Sequence, residues 1–123
     1  MGLDLTLLPL RDPRDLYGTH IFCGDSLRFD RDDQIFGQII TGIPGVKVTI
    51  ETQLIPPQLF VESYYDGGIR RSKKDVHGNK FSFAYAEDLR NLKMLANASP
   101  KNLAIKAFID ALPDDAPIIL FWS

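Results

Sequence analysis

VKVTIETQL, residues 46–54, is the stretch on which the fold reading turns. Val46, Val48, Ile50, Thr52 and Leu54 alternate with Lys47, Thr49, Glu51 and Gln53, and a period of two sends the two sets to opposite sides of an extended chain. One face is dry and the other wet, as in an antiparallel sheet covered on one side. Pro56-Pro57 breaks the strand, and Leu59 to Tyr65 resumes as another, ending at Asp66-Gly67-Gly68, where glycine tolerates the positive φ of a hairpin turn. His77-Gly78-Asn79 is a second turn signal, and Phe81, Phe83 and Tyr85 alternate with Ser82 and Ala84. Residues 64–85 therefore read as a meander whose middle member is basic and near an edge.

Upstream, Leu3, Leu5 and Leu7 alternate with Asp4 and Thr6, which predicts a strand ending at Pro9. RDPRDLYG (11–18) is a loop, Thr19 to Cys23 a second strand, Gly24-Asp25 a turn, and Ser26 to Phe29 a returning strand. Asp32 or Asp33 caps a short helix whose apolar side is Ile35, Phe36, Ile39 and Ile40; Gly37 weakens it, Gly42 supplies a left-handed cap and Pro44 stops it.

Downstream, Glu87 to Ala96 predicts a helix with Leu89, Leu92 and Ala96 on one face. Ser99 then caps a second helix with Pro100 at its first position, and Ala104, Ala107, Phe108 and Ala111 form a small-residue face able to lie close to a sheet. Pro113 ends it, and Ala116 to Trp122, unbroken and apolar, reads as a strand buried on both sides. The expected architecture is one α+β domain over residues 1–123, a mainly antiparallel sheet with two to three helices packed on one face.

The opening MGLDLTLLPL and the ending ALPDDAPIILFWS resemble those of small uncharacterised bacterial proteins, some carried by prophages. The resemblance covers the two ends and brings no catalytic motif. It implies an accessory protein and names no activity.

With 14 basic and 16 acidic side chains and a net charge of -2, no global field draws the chain to nucleic acid or an anionic membrane. A single cysteine excludes an intrachain disulfide and a multi-thiolate metal site. The start lacks the basic flank and long apolar segment of an export signal, which points to the cytoplasm, and the apolar run Ile118 to Trp122 is far too short to span a bilayer.

Three groups of side chains invite a chemical reading. Arg70, Arg71, Lys73 and Lys74, with Tyr64 and Tyr65 before them and His77 and Lys80 beyond, combine phosphate-neutralising charge with rings able to stack on unpaired bases; the same cations also protect an edge strand, with Asp75 partly balancing them. His20 lies three residues from Cys23, the residue types of a thiolate nucleophile and its base, but residues three apart on a strand face opposite sides. Asp25, Asp30, Asp32 and Asp33 match no calcium-loop pattern, and Arg28 and Arg31 among them suit a helix cap with surface ion pairs. Tyr17 and Trp122 offer pocket walls, Trp122 within a core strand.

The expected function is that of a small non-catalytic interaction protein whose partner is another protein or a second copy of the chain. One alternative is RNA or single-stranded DNA binding through residues 64–80; another is a small enzyme using Cys23 and His20. No cofactor, metal or membrane association is expected.

Overall fold

The computed structural model describes residues 3–10, 12–22, 26–65 and 68–123. Its larger sheet holds five strands, β1 (Leu5–Pro9), β3 (Leu27–Arg28), β4 (Gln53–Leu54), β7 (Ser82–Tyr85) and β8 (Pro117–Trp122), in the antiparallel order β3-β1-β8-β7-β4. A smaller sheet, ordered β2-β5-β6, contains β2 (His20–Phe22), β5 (Phe60–Tyr65) and β6 (Gly68–Ser72), with β2 parallel and β6 antiparallel to β5.

Period-two alternation explains why the larger sheet is buried on both faces. From β1 and β8, Leu5, Leu7, Ile118, Leu120 and Trp122 enter one hydrophobic cluster, with Ile105 and Ile109 of helix α3 (Pro100–Ala111) and Phe36 of helix α1 (Asp33–Phe36). Leu8 and Ile119 enter a second cluster with Ile21 and Val61 of the smaller sheet. Helices thus cover one face of the larger sheet and the smaller sheet covers the other, giving one α+β domain. Each such Leu or Ile contributes about 1.5–3 kcal/mol by leaving water.

The N-caps follow the sequence: Asp32 accepts the backbone N–H groups of Gln34 and Ile35 at the start of α1, and Ser99 accepts that of Asn102 at the start of α3. The C-cap of α1 is Gly37 in the right-handed region, so Gly42, with φ 101°, shapes a later turn and does not cap the helix. Four further expectations are corrected. Of residues 46–54 only Gln53 and Leu54 join a ladder, although Lys47, Thr49, Glu51 and Gln53 are exposed as alternation requires. Among the described residues no strand lies alongside the earlier part: the N–H groups of both Thr49 and Ile50 donate to the Gln38 carbonyl, so the run packs against the end of α1.

The predicted helix over 87–96 is a single turn, α2 (Ala86–Leu89). The buried Gln38 side chain accepts from the Lys93 N–H at 2.8 Å and donates to the Lys93 carbonyl at 2.9 Å, taking the groups that helix continuation needs. On α3 the buried face is Asn102, Ile105 and Ile109, while Ala104, Ala107, Phe108 and Ala111 are exposed; larger aliphatic side chains gain more from burial. Finally, the expected meander divides between the sheets, β6 pairing with β5 and β7 with β8, and the single bridge Lys74↔Lys80 joins the parting chains.

Candidate functional site

β6 is an edge strand of the smaller sheet, as the basic stretch leads one to expect. The register Glu62↔Arg71 and His20↔Phe60 places these four residues on one face, because directly paired residues point the same way. Ile21 and Val61, one residue along, are buried on the other. On the outer face Glu62 forms an ion pair with Arg71, Oε1 to Nε 2.7 Å, and His20 Nε2 lies 3.7 Å from the same oxygen. The His20 ring stacks on Phe60 at 5.8 Å, its Nδ1 lies 2.9 Å from Thr19 Oγ1, and Lys73 Nζ sits 4.5 Å from the centre of the Phe60 ring.

This arrangement divides the basic run. Arg71 is held by a carboxylate whose side chain is only 15 % exposed. Asp75 does not balance the lysines: its Oδ1 accepts the backbone N–H groups of His77 and Asn79 and so shapes the turn in which Gly78 has φ 82°. Among the described residues no carboxylate pairs with Lys73, Lys74 or Lys80. These three lysines line a cleft of about 130 Å³ together with Ile55, Pro56, Pro57 and Leu59. Lys74 and Lys80 are bridge partners, and like charges directly opposite each other are unfavourable.

Pro56, Pro57 and Lys80 also border a larger depression of about 430 Å³, which runs past Gln53 and Leu54 to Leu16 and Tyr17. Tyr17 and Leu54 are 82 % and 62 % exposed, large apolar surfaces that folding leaves in water. Sequence reasoning found Lys73, Lys74, Lys80 and Tyr17 but treated Pro56-Pro57 only as a strand breaker. The departure of Leu54 from the dry face was the missing signal: Ile55, 8 % exposed, takes the buried position instead.

The other candidates within the described residues are accounted for locally. Cys23, Asp25 and the side chains of Tyr64, Tyr65 and Arg70 lie outside the described residues; the Arg70 backbone pairs with Ser63. Asp32 caps α1, and the Asp30 backbone is held by the Asn102 side chain. Arg28 and Arg31 both turn to Asp4, at 2.8 and 2.9 Å, and these bonds, led by that of Arg31, hold the Asp4 carboxyl below the usual carboxylate range. Trp122 is core, edge-on to Phe36 at 5.5 Å.

Among the described residues no three His, Cys, Asp or Glu side chains are placed to hold a metal ion, and no helix is long and apolar enough to cross a membrane. No protein-family model matches the chain, and no curated protein or solved structure shows significant similarity to it.

Proposed function

We propose that this chain is a non-catalytic interaction protein of the cytoplasm, of bacterial or prophage origin, whose partner is another protein. The carrying observation is the apolar surface left in water around Leu54 and Tyr17, continuous with a cleft rimmed by three lysines. An exposed apolar patch with a charged rim is what a recognition surface needs, the apolar part for affinity and the rim for orientation. The ionisable groups nearby already have structural duties: Glu62 holds Arg71, Asp75 shapes a turn, and His20 stacks on Phe60. The origin rests on the resemblance of the chain's ends.

The test is capture on the immobilised full chain from a bacterial lysate, with light scattering of the chain alone. A single protein retained in stoichiometric amount is expected. A monomer that retains nothing and turns over a metabolite defeats the reading.

A further inference from the structure

We infer that the lysine-rimmed cleft and the depression reaching Tyr17 form one docking groove, and that its occupant is an extended segment of a partner protein carrying acidic residues beside aliphatic or aromatic ones. This rests on the interaction-protein reading above and adds the place and the chemistry.

Charge complementarity selects the acidic part. Lys74 and Lys80 are held opposite one another, with Lys73 beside them and no carboxylate partner among the described residues, so a carboxylate set between them relieves a repulsion the fold maintains. The walls select the apolar part. Ile55, Pro56, Pro57 and Leu59 present aliphatic surface beside the lysines, which matches aliphatic or aromatic side chains, while the rings of Tyr17, Phe83 and Tyr85 border only the depression beyond, away from Lys73 and Lys74. Phe60 already carries Lys73 and is stacked by His20, and Arg71 is spent on Glu62. With Arg71 spent and a net charge of -2 on the chain, three lysines suit a short acidic segment better than a run of phosphates.

Extension follows from the course of the groove. Gln53 and Leu54 line it, and they are β4, the last strand of the larger sheet. An edge strand offers backbone groups to an incoming segment, with side-chain pockets supplying specificity.

The experiment is selection of random dodecapeptides against the full chain, followed by titration of the enriched peptides into wild type, Lys74→Glu/Lys80→Glu and Leu54→Asp. Oligothymidine is titrated in parallel. All three positions are exposed, and circular dichroism checks each variant's fold. The expected result is enrichment of Asp or Glu next to large apolar residues, with binding that weakens as salt rises and falls by about tenfold or more in each variant. No enrichment, enrichment without acidic bias, indifference to both variants, or tighter binding of oligothymidine overturns the inference. A lysate partner that both variants still capture removes the groove but keeps the interaction-protein reading; a wild-type chain that captures nothing removes the reading beneath it.

Discussion

Asn102 is 1 % exposed, yet its side chain is polar, and it ties α3 to a residue 72 positions away. Its Oδ1 accepts the Asp30 N–H at 2.8 Å and its Nδ2 donates to the Asp30 carbonyl at 3.0 Å. Replacement by Ala removes both bonds, each with a net value of about 1 kcal/mol, and strands two backbone groups at a further cost of about 1–3 kcal/mol if water stays out. The Asp30 side is exposed, so water recovers part of that second cost, and the expected loss is about 2–3 kcal/mol. In urea, with a slope of about 1.5 kcal/mol/M, the midpoint falls by about 1.3–2 M at unchanged slope. Asn102→Asp keeps the acceptor but sets a buried carboxylate against the Asp30 carbonyl, which raises its pKa in the folded state. Its deficit therefore shrinks as pH falls and protonation turns it into a donor, the relief being complete by about pH 4, where the unfolded chain also protonates. An Ala variant within about 0.5 kcal/mol of wild type, or one with a changed slope, refutes the clamp argument.

Two further perturbations probe the frame of the site. Gly37→Ala gains helix propensity of up to about 1 kcal/mol, but a Cβ there would meet Val46 Cβ at 2.5 Å and the Asp33 carbonyl oxygen at 2.9 Å, so net destabilisation of about 1–2 kcal/mol is expected; a variant that melts no earlier than wild type contradicts this packing. The Asp4 carboxyl is held below its usual value near 3.8, chiefly by the Arg31 hydrogen bond with the Arg28 charge assisting against burial. A folded value lower than the unfolded one stabilises at neutral pH, and that contribution is lost as pH falls through the folded value. Asp4→Asn should thus be less stable than wild type at pH 7, with the gap closing below about pH 4; denaturation curves whose gap is constant from pH 7 to pH 2 rule the linkage out.

The site was legible in part. Lys73 and Lys74 stand out in sequence as charge, but Lys80 joins them only because the Asp75 turn brings the chain back, and Arg71 leaves them because β5 presents Glu62 opposite it. Spacing along one strand cannot reveal what the neighbouring strand will place across from it. The groove was hidden for a related reason: Leu54 continues an apolar period, and only the pairing Leu54↔Ser82 followed by buried Ile55 shows where that period breaks.

Element type and ends were local properties, and the sequence alone determined them where a few neighbours suffice: the doubly buried β8, the alternating β1, the caps at Asp32 and Ser99, and the turns at Gly42 and Gly78. Tertiary structure decided what depends on distant partners. Among the described residues, 46–52 join no ladder, with a bend at Ile50, where the Gln38 carbonyl takes two of their N–H groups, and the helix after Leu89 stops because the Gln38 amide binds Lys93. The face α3 buries is likewise set by the Asn102 clamp on Asp30. The physical reason is common to all three: buried Gln38 and Asn102 must have their polar groups satisfied, and which partner satisfies them is chosen by proximity in space.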